Sequence, residues 1–183
     1  MSNRIVVSVQ ASVDGRVAAE DGGLDWLQVK DELHAHFVEL HRTAGMFAYG
    51  RRTYEGMAAY WPTADADPAG DKFLIAYSKL WKSMPKLVLS TTLESAGWDT
   101  TVVRTVDELE EHRRTAGGDL YLLGSPRTIA ALAERDLVDT YEIYVHPVVL
   151  GTGRPMLPFR RGLTLRSAQT FDGNVVKLEY TRD

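Results

Sequence analysis

Two short apolar runs, Met46-Phe47-Ala48-Tyr49 and Tyr121-Leu122-Leu123, constrain this chain more than any other feature, because each breaks at a glycine and leads into a helix start. Neither run alternates with polar residues, which is the pattern of a strand covered on both faces by helices. Gly50 and Gly124 free the backbone to turn and allow a ligand to approach closely. After Gly124, Ser125 suits the N-cap and Pro126 the first helical position. The free N–H groups and positive dipole end of such a helix favour phosphate oxygens, and Arg127 adds a full charge in the first turn. The plain alternative is an ordinary capped helix after an ordinary strand.

The remaining elements fit around these runs. Ile5 to Ala11 reads as a strand closed by the Asp14-Gly15 turn. Val29, Leu33, Phe37, Leu40 and Ala44 recur at intervals of three or four and mark an amphipathic helix. Arg51 to Glu55 starts another helix, and the stretch from Trp61-Pro62 to Gly70 reads as a loop. Lys86 to Ser90 and Thr100 to Arg104 are further strands, and Asp107 to Thr115 a charged helix. Val138 to Leu150 reads as a long strand interrupted by Pro147, and Leu163–Ala168 with Val175–Tyr180 as a closing antiparallel hairpin. The expected fold is α/β in three layers, a mostly parallel mixed sheet with an antiparallel C-terminal edge. Ligands of such sheets sit at strand carboxyl ends, where Gly50, Ser90 and Gly124 lie.

With 183 residues and 44% hydrophobic content, one domain is expected. A net charge of −4 and the lack of a Lys/Arg-rich run speak against a nucleic-acid partner, so a small anionic ligand needs a local basic pocket. No stretch has the length of a membrane span, and a strand-like pattern begins at once, so a cytoplasmic protein is the simplest expectation. The absence of cysteine excludes thiolate chemistry.

The order of Ser12-Val13-Asp14-Gly15-Arg16-Val17-Ala18, Gly50-Arg51-Arg52-Thr53-Tyr54, Leu89-Ser90-Thr91, Val103 to Leu109 and Pro147 to Gly153 resembles the dihydrofolate reductase-like superfamily, which includes the reductase domain of riboflavin biosynthesis. The resemblance spans nearly the whole chain. It implies a dihydrofolate reductase-like fold, NADPH as hydride donor, a small-molecule substrate and a homodimer. By position it implies Ala11 beside the nicotinamide, and Arg51, Arg52 and Thr53 at the pyrophosphate and 2′-phosphate. Ser90 and Thr91 would meet the adenosine end, with Arg104 near the adenine. Gly124, Ser125, Arg127 and Thr128 would hold the pyrophosphate, and Gly50 and Leu123 complete the cofactor set. Folate reductases place two glycines joined by a cis peptide at the turn that is Gly124-Ser125 here. Riboflavin-pathway reductases carry acids where this chain has Met57 and Leu123, which argues against the riboflavin intermediate as substrate.

Two acids are candidates for handling a proton. Asp31 stands five residues after Trp26, the spacing of the folate reductase carboxylate, but on a regular helix it lies opposite the Leu33-Phe37 stripe. Glu32 lies nearer the stripe and is the rival, and both also suit the solvated first turn of a helix. His34, His36 and His41 lack metal-ligand spacing and read as surface or pocket-rim residues, so no metal is expected. The ordered strand-end motifs and the resemblance they carry imply an NADPH-dependent reductase acting on a C=N or C=O bond of a small heterocyclic or carbonyl substrate. The alternatives are a silent NADP-binding module and a dihydrofolate reductase proper.

Overall fold

The architecture is a computed structural model that describes residues 3–66 and 71–183. In chain order the elements are β1 (Ile5–Ser12), β2 (Arg16–Ala18), α1 (Asp31–Arg42), β3 (Met46–Gly50), α2 (Arg51–Ala64), α3 (Lys72–Ser83), β4 (Lys86–Leu89), β5 (Thr100–Val103), α4 (Val106–Thr115), β6 (Leu120–Leu122), α5 (Pro126–Ala133), β7 (Thr140–His146), β8 (Arg154–Pro155), β9 (Leu163–Phe171) and β10 (Val175–Arg182). Eight strands form one sheet in the order β5-β4-β3-β6-β1-β7-β10-β9. The six from β5 to β7 run parallel, and β10 joins β7 and β9 antiparallel. β2 and β8 pair in a separate two-stranded ribbon.

The non-alternating strands bury both faces, as their composition requires. Met46 and Ala48 enter an aliphatic layer with Ile5, Val7 and Leu122, closed by Leu109 of α4 and by Ile129 and Leu132 of α5. Phe47 and Tyr49 enter an aromatic layer with Tyr121 and Tyr144, closed by Phe37 of α1 and by Tyr77 and Trp81 of α3. The expected three layers, mostly parallel sheet and antiparallel C-terminal edge are all present.

Three local expectations are corrected. The stretch from Trp61 is not a loop at its start, because α2 runs through Pro62 to Ala64, while 67–70 lie outside the described residues. Proline weakens a helix by removing an N–H donor. Here α3 packs against the weakened turn: Ser78 Oγ donates to the Trp61 carbonyl at 2.7 Å, and the Tyr77 and Trp61 rings lie 4.5 Å apart. α3 itself was not anticipated, although Asp71 and the spacing of Leu74, Tyr77, Ser78 and Trp81 carry its start and its stripe. The strand expected over Val138 to Leu150 is confined to β7, ending before Pro147.

Candidate active site

α2 and α5 begin at adjacent points on the carboxyl edge of the sheet. The Gly50 N–H donates to the Gly124 carbonyl at 2.8 Å, tying the two starts together. A Cβ on Gly50 would lie 2.4 Å from Thr128 Oγ1 and 2.6 Å from Ser125 Oγ, so only glycine fits against α5. Gly124 has φ +118°, a region open to glycine, and an added Cβ there would meet Thr53 Oγ1 of α2 at 3.2 Å. Each helix start therefore packs on the other's glycine. The Gly124-Ser125 peptide is cis, as in the two-glycine turn of folate reductases.

Neither start caps itself. Ser125 occupies the N-cap position, but its hydroxyl sits 3.2 Å from Thr128 Oγ1 and makes no capping bond among the described residues; Gly50 has no side chain to offer. The expectation of a capping Ser125 hydroxyl is thus corrected, because Thr128 competes for it. Neither helix carries an acid in its first turn. Two sets of N–H donors are left for an external acceptor, which suits an anion.

These starts form one end of a cavity of about 730 Å³. Arg52, Thr53, Leu123, Gly124 and Ser125 line that end. The rest of the wall is largely aromatic and apolar, with Phe37, Met57, Trp61, Leu74 and Tyr77, and the segment between β2 and α1 contributes Leu24, Leu27 and Val29. Arg52 and Arg154 are the full charges in the wall, and no carboxylate lines it among the described residues. A protein of net charge −4 thus reserves a locally cationic cavity. Both positions where riboflavin-pathway relatives were expected to carry acids, Met57 and Leu123, face this space as apolar side chains.

The other expected cofactor residues divide into two groups. Gly50, Arg127 and Thr128 belong to the paired helix starts without lining the cavity, with Arg127 exposed and Thr128 buried. Arg51, Ser90, Thr91 and Arg104 form a ledge outside the wall, beyond β4 and β5. On this ledge the Arg104 guanidinium donates to the Ser90 and Leu93 carbonyls, both at 2.7 Å. Arg51 donates to Glu55 at 2.7 Å and to Thr92 Oγ1 at 3.0 Å. The Ser90 hydroxyl accepts the backbone N–H groups of Thr92 and Leu93. Apart from the exposed Thr91, these polar groups shape the ledge instead of standing free.

The Ala11 side chain lies in the aliphatic layer, 1% exposed, and its neighbours Ser8, Val9 and Gln10 are the residues of β1 that line the cavity. Asp31 and Glu32 also stand outside the wall, both exposed at the start of α1. Glu32 is engaged with the C-terminal hairpin turn: its carboxylate accepts the Asp172 N–H at 2.8 Å, and its own N–H donates to the Asp172 carboxylate at 3.2 Å. The helical wheel that put Asp31 opposite the stripe holds in the folded chain.

α1 contributes histidines where acids were expected. His34 lines the cavity, with Nδ1 3.5 Å from the Asp71 carboxylate. His41 also lines it and is 2% exposed; Nδ1 is 2.9 Å from the Tyr77 hydroxyl, while Nε2 has no partner among the described residues. Burial, with a smaller contribution from His36, pushes the His41 pKa down to about 3, so this imidazole is neutral at ordinary pH. His36, outside the wall, bonds the Tyr144 hydroxyl at 2.9 Å. The heptad step from His34 to His41 along the buried stripe was the available signal for their inward placement.

Comparison with known proteins agrees with the architecture. The RibD C-terminal domain family matches residues 3–177. The uncharacterized protein YyaP of Bacillus subtilis (strain 168) is 26% identical over 185 residues, covering 97% of this chain and 94% of its own. The crystal structure of a candidate riboflavin biosynthesis protein from Shewanella sp. PV-4 superposes with a TM-score of 0.74 at 22% identity, covering 100% of this chain and 99% of that one. A dihydrofolate reductase from Enterococcus faecalis complexed with NADP(H) and RAB-propyl superposes with a TM-score of 0.66 at 12% identity, covering 98% of this chain and 96% of that one. The fold is dihydrofolate reductase-like, and by the extent of the family match the chain belongs to the RibD C-terminal domain family, a reductase-type domain.

Proposed function

We propose that this protein is an NADPH-dependent reductase that transfers hydride to a C=N or C=O bond of a small, largely apolar heterocyclic substrate. The observation that carries the reading is the convergence of two uncapped helix starts, free of acids, on the cationic end of a cavity large enough for a nicotinamide and a small ring. The first-turn N–H groups of α2 and α5 would hold the pyrophosphate, and Arg52 and Thr53 would add donors at the same end. A charged hydrogen bond from Arg52 would contribute about 1.5–3 kcal/mol. Bound NADPH supplies the hydride. The apolar wall formed by Met57, Trp61 and Tyr77 orients a planar acceptor and excludes bulk water. With no carboxylate in the wall among the described residues, water is the proton source this reading favours.

Titrating the pure protein with NADPH while following tryptophan fluorescence tests the reading, since Trp61 lines the cavity. A saturable change at micromolar cofactor is expected, and no change up to millimolar cofactor would reject it. The missing acid gives a specific reason to keep a second reading, a silent NADP-binding module, for which binding without turnover across pterins, quinazolines and pyrimidines is the signature. The exposed position of Asp31 speaks against a dihydrofolate reductase proper. The proposal retains a cytoplasmic homodimer. Sedimentation showing only a 20.4 kDa species at micromolar concentration would reject the dimer.

A further inference from the structure

Gln10 projects from β1 into the cavity wall beside the end of β7. Its carboxamide oxygen is 2.6 Å from Nε2 of His146, a side chain with no solvent exposure. The other ring nitrogen, Nδ1, receives the backbone N–H of Gln28 at 3.1 Å. A backbone N–H can only donate, so Nδ1 must carry a lone pair. Burial pushes the His146 pKa down to about 4, so the ring is neutral and its single proton sits on Nε2. That proton is donated to Gln10, which must therefore turn its oxygen towards His146. The carboxamide nitrogen, with two N–H donors, is then left without a partner among the described residues, on a side chain that lines the cavity. Trp26 stands edge-on to the His146 ring at 5.6 Å and holds it in place. A reversed carboxamide would set an N–H against an N–H and lose a buried hydrogen bond.

We propose that Gln10, locked by His146, is a donor for a carbonyl oxygen in the cavity, namely the carboxamide oxygen of the nicotinamide. This rests on the reductase reading above. The β1·β6 register ends at Val7↔Leu122, and three residues further along each segment Gln10 and Ser125 both line the cavity, which brings Gln10 to the level of the Gly124 turn. A donor fixed there would set which face of the nicotinamide meets the substrate. His146 is a positioning residue that acts only through Gln10.

The test measures affinities for NADPH, for its thionicotinamide analogue, whose sulfur is a poor acceptor, and for its 3-acetylpyridine analogue, which keeps the carbonyl oxygen. The unaltered protein is expected to bind NADPH and the acetyl analogue within about threefold of each other and the thio analogue about tenfold more weakly. Gln10→Met is expected to weaken NADPH about tenfold and to remove the discrimination against sulfur. Gln10→Glu still accepts the His146 proton but has no donor to offer, so it serves if the methionine variant fails to fold, and it should lose the discrimination as well. His146→Phe should reduce the discrimination with Gln10 intact. Either Gln10 variant, folded by its melting curve and still discriminating as the unaltered protein does, overturns the proposal alone. Failure of the unaltered protein to bind NADPH overturns it together with the reductase reading.

Discussion

Four helices begin in two contrasting ways, while α1 stands apart, with no side-chain cap at Lys30 but with Asp31 and Glu32 in its first turn. α3 starts at Asp71, whose carboxylate accepts the N–H groups of Phe73 and Leu74, both at 2.7 Å. α4 starts at Thr105, whose hydroxyl accepts the Glu108 N–H at 3.2 Å, with Asp107 and Glu108 in its first turn. α2 and α5 start at Gly50 and Ser125 with neither a capping side chain nor an acid among the described residues. The first kind satisfies its own donors and adds negative charge, so it is closed to anions. The second leaves donors exposed, and both instances open at one end of one cavity. The contrast is the physical basis for proposing an anion at the paired, acid-free starts of α2 and α5 and not at α3 or α4.

Breaking the junction should have the largest effect. Gly50→Ala places a Cβ where Thr128 and Ser125 already stand, and the starts of α2 and α5 would be forced apart. A loss of about 1–3 kcal/mol in a denaturant melt and a hundredfold weaker NADPH titration are expected from such overpacking. An unchanged affinity would mean that the two starts do not act together.

Converting one kind of start into the other is the next test. Ser125→Asp supplies α5 with the kind of carboxylate that caps α3 and should weaken NADPH about tenfold by competing for the same N–H groups. The melt should hold steady or rise by about 0.5–1 kcal/mol, because a cap is gained. Weakened binding with unchanged stability separates this result from unfolding.

The smallest effect comes from the opposite exchange. Asp71→Ala should cost about 1 kcal/mol in the melt and leave NADPH affinity within twofold, since α3 contributes no anion donors. Acid gives the same comparison in the unaltered protein. The N–H of Leu74, then that of Phe73, holds the Asp71 carboxyl below its ordinary 3.8, so the native state binds its proton less readily than the unfolded chain. This contribution is present above pH 3.8 and is lost as pH falls below that value, through the lowered pKa. The melting difference between the unaltered protein and Asp71→Asn should therefore shrink on acidification below about pH 4, whereas α2 and α5 have no first-turn acid to titrate.

Much of this was legible in the residues. The Met46–Tyr49 and Tyr121–Leu123 runs announced strands covered on both faces, and Gly50 and Gly124 announced the place where the chain turns at the sheet edge. The helix-start end of the cavity was legible because strand, glycine and helix start are contiguous in sequence. The remainder of the wall was not, since Gln10, His34, Tyr77 and Arg154 come from elements separated along the chain.

By itself, then, the sequence determined the layers, the sheet edge and the glycine-to-helix turn at Gly124, because periodicity, turn chemistry and helix starts act over a few residues. The tertiary structure decided that the two glycine starts interlock, that Thr128 takes the Ser125 hydroxyl, and that His146 turns Gln10 towards the cavity. Those outcomes depend on which donors and acceptors meet across the sheet. A hydrogen bond between residues 136 positions apart, as between Gln10 and His146, leaves no periodic trace in the chain.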